Sequence, residues 1–586
     1  MTDGSLGICG AEDVAASYDV SPAFQIPTGR IGTGYAALAA VLTRALGSGA
    51  RHVAVDGFQG ILWQDLRRGL SSALGQVGAQ LSWVDTTRYL RSTDELEQLI
   101  APNLGGDDPL FGRICDADLE AFLDMAALRA AVAAMDGGPV LVYGPGASLV
   151  EGWDLLMYVD VPKDEIQRRM RAGAVCNLGA PGPTAFGQMY KRAYFVDWPV
   201  LNRHKARLLP RLDWFVDAGR LDGPTVISGD HLRAALQEMA HGPFRPRPWF
   251  LPGPWGGQWM REHFPGLRDD VPNYAWSYEL IAPENGLVLQ SGEHRLEFSF
   301  DLLMYQQHRE VLGRAAERFG HSFPIRFDYL DTMGGGNLSI QVHPRPDYIL
   351  EQFGEPYTQD ESYYIVTCKP GARVYLGLRD GASPEEFRQA VERSQREQVP
   401  IDVDRFVHSV ESHPHDLFLI PHGTIHGSGA GNLVLEISAT PYIYTFKIYD
   451  WVRRDLEGNL RPLNIERAWD NLYFDRREGY VHEYLCPRPA VLRSATAGRE
   501  LLLGTHEQLF YEVRRYELWG ELWASTDDRC HVLNVVGGPG VRVRTPNGRE
   551  AVFHFGETFV VPAAAGEYSI APLDARPCMV VFAFVK

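Results

Sequence analysis

The sequence contains few cysteines, and their arrangement predicts neither a disulfide framework nor a thiolate metal site. Seven cysteines are spread over 586 residues, none of them forms a Cys-x-x-Cys pair, and their number is odd. We therefore expect small, mostly buried, reduced thiols. They are Cys9, Cys115, Cys176, Cys368, Cys486, Cys530 and Cys578.

Long apolar runs and an excess of basic residues are also missing. No stretch approaches the roughly 18 apolar residues of a membrane helix, and the start of the chain, MTDGSLGICGAEDV, lacks the basic and apolar regions of a signal peptide. The 56 basic and 74 acidic side chains leave a formal charge of -18. The sequence therefore predicts a cytoplasmic protein without a nucleic-acid or membrane partner, and it leaves the oligomeric state open.

The first part of the chain alternates short apolar strands with amphipathic helices. Helical spacing covers 34–47 and 119–135, while His52–Val55 and Val140–Tyr143 are apolar runs with glycine close behind. This alternation is typical of a doubly wound α/β domain. Five prolines in 241–257 then break any helix or central strand, so we expect a first domain at 1–245.

The rest of the chain has the pattern of an all-β protein. Short apolar or alternating runs separated by Gly, Pro and Asp, such as NLSIQVHP, DLFLIPHG and NLVLEIS, predict a barrel or sandwich. A helical insertion at 383–398 begins with a capping-box pattern, Ser383 and Glu386. A second β-rich region follows about residue 490, so we expect domains at 246–490 and 491–586.

Four polar residues in the β region have the pattern of metal ligands. Gln341 and His343 lie two apart in a predicted strand and therefore on one face. Glu361 starts another strand, and His426 ends IPHGTIH. Nitrogen and oxygen ligands of this kind suit Zn²⁺, Fe²⁺, Mn²⁺ or Co²⁺. The alternative interpretation is that the histidines are hydrogen-bonded core residues.

These motifs resemble the class I mannose-6-phosphate isomerases, specifically the short bacterial form. The resemblance includes QVHP, the acidic residue before YYI, and PHGTIH followed by LEI. It extends over about 250–586 through WGGQW, AWSYEL, TFKIYDW and FGETFVVPA. It implies a double cupin fold (a β-barrel or jelly roll) and a metal-dependent interconversion of an aldose phosphate and a ketose phosphate.

The resemblance also implies roles for particular residues. Zn²⁺ or another divalent transition metal would be held by Gln341, His343, Glu361 and His426. Catalytic candidates are Lys447 and Glu436, and substrate-binding candidates are Ser339, Arg345 and His422. The most probable reaction on this basis is the interconversion of mannose 6-phosphate and fructose 6-phosphate.

Three positions depart from the family pattern, and all three change positive charge. Lys447 stands where the family has Arg, while Gln359 and Asp328 stand where it usually has Lys. Lysine is a point charge and does not replace the forked donors of arginine. Three alternatives therefore stay open: isomerisation of another, unphosphorylated sugar; non-catalytic sugar recognition or regulation; and a cupin oxygenase.

Residues 51–66, RHVAVDGFQGILWQDL, resemble the opening of uridine-kinase-like P-loop domains. The last three places of the phosphate-binding motif hold Leu62, Trp63 and Gln64 instead of Gly, Lys and Ser or Thr. Arg168, Arg169 and Arg171 fall either at a kinase lid or on a solvated helix face. We expect a degenerate kinase domain without nucleotide chemistry, with a structural or regulatory role.

Overall fold

A computed structural model of the protein describes residues 17–106, 108–135, 137–220, 223–456 and 458–586. Cys9 and the predicted absence of a signal peptide lie outside these residues. The chain divides into two compact units. We call residues 23–239 and 283–307 the α/β unit, and residues 17–22, 240–282 and 308–586 the β unit.

The described residues form 31 strands. They are β1 (Phe24–Gln25), β2 (Ile31–Thr33), β3 (His52–Gly57), β4 (Ser82–Asp85), β5 (Val140–Tyr143), β6 (Leu155–Asp160), β7 (Trp214–Asp217), β8 (Thr225–Ser228), β9 (Trp249–Leu251), β10 (Trp276–Leu280), β11 (Gly286–Ser291), β12 (His294–Ser299), β13 (Ile325–Asp331), β14 (Ile340–Val342), β15 (Glu361–Cys368), β16 (Arg373–Leu378), β17 (Val407–Glu411), β18 (Leu417–Ile420), β19 (His426–Ser428), β20 (Asn432–Ala439), β21 (Phe446–Tyr449), β22 (Ala490–Ala495), β23 (Gly498–Gly504), β24 (Tyr511–Leu518), β25 (Leu522–Ser525), β26 (His531–Gly537), β27 (Gly540–Arg544), β28 (Glu550–His554), β29 (Thr558–Val561), β30 (Glu567–Pro572) and β31 (Cys578–Val585).

The α-helices are fewer and mostly short. They are α1 (Gly34–Gly47), α2 (Trp63–Gln76), α3 (Thr93–Ile100), α4 (Met125–Ala133), α5 (Lys163–Arg171), α6 (Phe186–Arg192), α7 (Trp198–Leu208), α8 (Gly229–Met239), α9 (Trp259–His263), α10 (Asp301–Leu312), α11 (Ala316–Phe319), α12 (Pro346–Phe353), α13 (Pro384–Glu397), α14 (Ile465–Asn471) and α15 (Glu478–Tyr480).

The α/β unit is built on a seven-stranded sheet in the order β2-β8-β7-β6-β3-β5-β4. The five strands from β7 to β4 run parallel, and β8 and β2 add an antiparallel edge. β3 lies between β5 and β6, so the chain moves to opposite sides of β3 as it continues. This reversal leaves a crevice at the carboxyl ends of the parallel strands, the usual ligand position in open α/β sheets.

The β unit contains four antiparallel sheets. The first pair has the orders β18-β15-β20-β13-β10-β9 and β17-β16-β19-β14-β21. The second pair has the orders β22-β23-β24-β31-β26-β29 and β25-β30-β27-β28. Side chains from both members of the second pair share one buried apolar cluster, which includes Tyr516, Leu533 and Phe582 from one sheet and Val541 and Tyr568 from the other. These sheets therefore pack face to face.

Several predicted elements are confirmed, and one is wrong in its extent. α1 covers the predicted 34–47, and α13 begins after Ser383, whose Oγ accepts a hydrogen bond from the Glu386 amide at 3.2 Å. The predicted helix over 119–135 is instead a short 3₁₀ turn and then α4. Asp124 breaks it, because its carboxylate caps α4 by accepting from the Ala127 amide at 3.0 Å.

The predicted domain boundaries differ from the two compact units in three segments. Residues 17–22 and 240–245, expected in the first domain, belong to the β unit. Residues 283–307, expected within a domain at 246–490, belong to the α/β unit, where β11 and β12 form a three-stranded sheet with β1. Both 308–490 and 491–586 fall in the β unit, so their separation into two domains stays a prediction. The protein is multidomain and rich in β-sheet.

Within the described part of the chain, no helix is long and apolar enough to cross a membrane. The six described cysteines are all free, as the sequence predicts. Nothing in their positions pairs them as disulfides.

Candidate metal centre

One row of side chains crosses the five-stranded sheet of the β unit. Gln341 in β14 lies directly opposite His426 in β19 on one side and Lys447 in β21 on the other. Directly opposite residues of antiparallel strands share a face. Alternation along β14 and beyond its end keeps Ser339 and His343 near that face.

A second set of side chains occupies the six-stranded sheet. Arg326 in β13 and Glu361 in β15 both lie opposite Ser438 in β20, and Asp328 lies opposite Glu436. Because these positions are two residues apart on their strands, they share one face. From this sheet, the side chain of Glu361 contacts His343 and His426 of the five-stranded sheet region.

The two sets meet in a buried cluster of His343, Glu361 and His426. Glu361 Oε1 is 2.8 Å from His343 Nε2, and Glu361 Oε2 is 3.2 Å from His426 Nε2. One ligand atom from each residue lies within 4.8 Å of the others. All three side chains are at most 1% exposed, so this is a closed set of nitrogen and oxygen donors.

Hydrogen bonds on the far side of each imidazole leave the inward nitrogens free for a metal. His343 Nδ1 is 3.0 Å from the Tyr444 carbonyl, and His426 Nδ1 is 2.9 Å from the Thr424 carbonyl. A carbonyl only accepts, so each Nδ1 carries the proton and each Nε2 presents a lone pair. His343 Nε2 and Glu361 Oε2 are buried without a hydrogen-bond partner among the described residues. Both atoms are therefore available to coordinate a cation.

Gln341 completes the group of four expected ligands. Its Nε2 lies 3.3 Å from His426 Nε2, and its Oε1 accepts from Ser339 Oγ at 2.8 Å. The two ends of a carboxamide have the same shape, so a half-turn places Oε1 toward the histidine and Nε2 toward the serine. In that orientation Ser339 accepts from the amide and fixes the oxygen as a ligand.

The carboxylate of Glu361 is held ionised by its neighbours. Burial opposes ionisation, but when the imidazoles are protonated, the charge on His343 and hydrogen bonds from His343 and His426 outweigh burial and bring the pKa of Glu361 well below its ordinary value. Gln359 Nε2 also donates to Glu361 Oε1 at 2.7 Å. The glutamine that stands at a family lysine position therefore orients this carboxylate.

Behind Glu361 lies a buried arginine that sequence reasoning missed. Arg326 pairs with Glu436 in a short contact, lies 3.4 Å from Glu361 Oε1 and 3.6 Å from Asp328 Oδ1, and donates to Ser438 Oγ at 2.7 Å. The sequence did contain one signal for it: Arg326 lies two residues before Asp328 on the same strand and therefore on the same face. One cation is thus present on the strand where the family usually has lysine.

Two of these carboxyl groups are difficult to ionise. Burial raises the pKa of Asp328 to about 7, although Arg326 acts in the opposite direction. Burial likewise raises the pKa of Glu436 well above its ordinary value, again against Arg326. The cluster therefore has too little positive charge for its carboxylates.

The substrate-binding candidates are only partly brought together. Ser339 contacts Gln341, whereas the guanidinium of Arg345 donates to the Asp470 carbonyl and lies 5.7 Å from the Tyr473 ring centre. The predicted substrate-binding role of Arg345 stays a prediction. The imidazole of His422 is buried, and its Nδ1 lies 2.8 Å from Asp360 Oδ1.

Lys447 has an unusual environment for an amine. Burial lowers its pKa to about 8, assisted by Arg461 and opposed by Asp450. Its place opposite Gln341 directs it to the same sheet face as the ligands. Its charge is therefore labile near neutral pH.

About half of the chain is similar to bacterial mannose-6-phosphate isomerases. Mannose-6-phosphate isomerase ManA of Bacillus subtilis (strain 168) is 26% identical over 333 residues, which covers 55% of this chain and 94% of the relative. The mannose-6-phosphate isomerase of Streptococcus mutans is 31% identical over 221 residues, 37% of this chain and 64% of the relative. These similarities support an enzyme of the isomerase class.

A family model and solved structures also match. Residues 34–241 match a model described as a domain of unknown function, DUF8485. A crystal structure of mannose 6-phosphate isomerase from Bacillus subtilis gives a TM-score of 0.48 at 22% identity, covering 58% of this chain and 99% of that one. A putative mannosephosphate isomerase from Archaeoglobus fulgidus gives 0.45 at 19%, covering 59% and 98%.

Substitution of His343 by Ala should abolish metal binding. Removing one of three clustered donors leaves an incomplete coordination sphere, so zinc per chain should fall from about one ion to nearly none. The measurement is elemental analysis of gel-filtered protein after incubation with Zn²⁺. His408→Ala, which removes a buried imidazole outside the cluster, is the matched control. Retention of zinc by His343→Ala, with the fold intact by circular dichroism, would contradict the assignment.

Proposed function

We propose that the protein is a metal-dependent aldose–ketose isomerase of a sugar phosphate, with mannose 6-phosphate and fructose 6-phosphate as the first candidates. The observation that carries this proposal is the closed donor set of His343, Glu361 and His426, supplemented by Gln341. The similarity to mannose-6-phosphate isomerases supports the reaction class.

The charges around the site support a divalent ion. Asp328, Glu361 and Glu436 are each at most 5% exposed, and Arg326 is their common cation. Fully ionised, the three carboxyl groups and one guanidinium would carry a charge of about −2, and burial opposes this by raising the pKa of Asp328 and of Glu436. A divalent cation at the ligand cluster would favour the ionised forms of these carboxyl groups. We propose Zn²⁺ or another divalent transition metal.

The reaction transfers a proton between two adjacent sugar carbons through a cis-enediol. The aldose loses the proton on C2 and forms the enediol, in which O1 carries a proton. The proton on the C2 hydroxyl then leaves as C2 becomes the carbonyl, and a proton is returned to C1. The bound metal would polarise the neighbouring substrate oxygens and stabilise the enediolate charge. The protein must supply a group that accepts and returns the proton.

We propose His422 for this role, on the basis of its hydrogen bonds. Asp360 Oδ1 accepts from the His422 Nδ1–H at 2.8 Å and also from the His422 amide at 2.8 Å, so the imidazole is oriented with Nε2 as its free lone pair. Nε2 makes no hydrogen bond among the described residues. Glu436 is held by Arg326 and Ser438 instead, which suits a role in orienting Arg326.

A second candidate substrate is an unphosphorylated sugar. Among the cations expected at the site, Arg326 is occupied by carboxylates and the Arg345 guanidinium by the Asp470 carbonyl. Lys447 is then the candidate for binding a phosphate or an enediolate. An amine whose pKa is lowered to about 8 is a weak counter-charge for a dianionic substrate.

The α/β unit is proposed to be a degenerate kinase-like domain without nucleotide chemistry. The support is the missing lysine and hydroxyl at Trp63 and Gln64 and the open parallel sheet. Of the three arginines considered for a lid, Arg169 is buried and donates to the Gly60 carbonyl at 2.8 Å, while Arg168 and Arg171 are exposed. Arg169 therefore acts within the fold.

Purified protein supplied with Zn²⁺ should interconvert mannose 6-phosphate and fructose 6-phosphate, and His422→Asn should lower kcat by about 10²–10⁴. Zinc content should stay near one ion per chain, because His422 is outside the ligand set. A coupled assay with each phosphate and with free mannose, beside metal analysis, measures both. If neither sugar is converted, the isomerase proposal fails. If His422→Asn is fully active, only its base role fails.

Lys447→Arg should remove an alkaline decline in kcat/KM. The wild-type amine, with its pKa lowered to about 8, is charged below that pH and loses the charge as pH rises through it. A guanidinium keeps its charge at all working pH values. Rates from pH 6 to about 10 test this, with the exposed Lys369→Arg as control. An identical alkaline limb in wild type and Lys447→Arg would contradict the role of Lys447.

A further inference from the structure

The α/β unit contains a cavity of about 640 Å³ at the carboxyl ends of its parallel strands. Its walls are the loop after β3 with the start of α2, the segment 87–93 after β4, Pro145 after β5, and the segment 174–180 after α5. A crevice at these strand ends is where open α/β sheets bind ligands. Its volume is in the range of small-molecule sites, roughly 300–1,000 Å³.

The loop after β3 is held in place by the protein itself. Gly60 has φ +87°, and a Cβ there would lie 2.7 Å from Ile166 Cγ1, so this close approach requires glycine. Arg169, at 4% exposure, donates to the Gly60 carbonyl at 2.8 Å and to the Ala218 carbonyl at 2.9 Å. The cavity wall is therefore preformed.

The oxygen of a buried side-chain amide on this wall lacks a hydrogen-bond partner among the described residues. Gln59 is 6% exposed, and its Nε2 donates to Asp197 Oδ2 at 3.2 Å and to the Cys176 carbonyl at 3.3 Å. Its Oε1 accepts no hydrogen bond among the described residues. An unsatisfied buried acceptor is unfavourable, and rotation of this side chain toward the cavity would let a ligand hydroxyl donate to it.

The lining is polar but almost without net charge. Its charged side chains are Asp65 and Arg91, and each is exposed and paired on the protein, with Arg68 and with Glu95 respectively. Amides and hydroxyls supply the other polar groups, at Gln59, Gln64, Thr87, Ser92 and Asn177. Such groups exchange hydrogen bonds with ligand hydroxyls and offer no strong counter-charge to a phosphate.

The amides near the end of β3 also serve a protein carboxylate. Asp56 is fully buried and accepts from the Gly146 amide at 3.0 Å and the Ser148 amide at 2.9 Å. Backbone amides of this kind hold the anion in a phosphate site. Here they are occupied by the carboxylate of Asp56, which also contacts His204 Nε2 at 2.8 Å.

We infer that this cavity binds a neutral sugar, with hydroxyls on the amide and hydroxyl side chains and the ring face on the apolar wall. The accessible apolar wall is formed by Leu62, Trp63 and Leu90, which are partly exposed. A ring with hydroxyls on its edge and C–H groups on its face matches this division of polar and apolar surface. The site is separate from the metal centre and does not depend on the isomerase proposal.

Cys176 gives a local readout for the test, because it lines the cavity as a free, half-buried thiol. Full-length protein is labelled with a maleimide in the presence of D-mannose, D-fructose, mannobiose, uridine or Mg²⁺-ATP, and modification of Cys176 is followed by peptide mass spectrometry. Sugars are used at about 10 mM, above the roughly 1 mM dissociation constant of a weak site. Cys368, also half-buried, is the control thiol.

We expect at least one of the three sugars to slow Cys176 labelling about fivefold or more, since 10 mM ligand occupies about nine-tenths of a 1 mM site. Ala174→Trp, which places a large ring in the lining, should remove this protection, and Ala172→Trp, outside the lining, should keep it. The inference is overturned if no sugar protects Cys176, if protection survives Ala174→Trp, or if only uridine or Mg²⁺-ATP protects it.

Discussion

The guanidinium of Arg326 among Asp328, Glu361 and Glu436 is the interaction on which the candidate metal centre depends. It sits on strand β13, and every carboxylate that it contacts is almost completely buried. Without it, three anions would share a space with little water, at a cost of several kcal/mol for each unpaired charge. With it, one positive charge lies among the three carboxyl groups, and a divalent ion between His343 and His426 would add further positive charge beside Glu361.

The same cluster explains why two departures from the family pattern are compatible with a preserved ligand set. Asp328 would add a negative charge where lysine is usual, but Arg326 lies on the same face two residues earlier and compensates for it. Gln359 has no charge, yet its amide donates to Glu361. At these two positions the charges around the candidate ligands differ from the family pattern. At Lys447 the charge is kept, but an amine replaces the guanidinium.

The candidate ligands could be identified from the sequence because strand alternation and the positions of Gln341, His343, Glu361 and His426 are local signals. The structure brings these four side chains together. Arg326 was missed because its importance arises from pairing between β13, β20 and β15, which only the sheet register reveals. Asp360 was missed for the same reason, since its contact with His422 joins residues 62 positions apart.

In the α/β unit, the alternation of strands and helices correctly predicted an α/β domain built on a mostly parallel sheet. Residues 283–307 could not be assigned to that unit, because β11 pairs with β1 more than 250 residues earlier in the chain. The helix over 119–135 was predicted too long, because side-chain capping by Asp124 outweighed apolar periodicity. Both errors arise from hydrogen bonds that the periodicity of apolar residues in the sequence does not predict.

The most direct test of this account is a crystal structure of the zinc-loaded protein with anomalous data collected at the zinc edge. The account predicts one strong anomalous peak between the two inward imidazole nitrogens and the Glu361 carboxylate, at about 2.0–2.2 Å from each donor, with the Gln341 oxygen turned toward it. Absence of the peak, with His343 and Glu361 in direct contact in the crystal, would contradict the account.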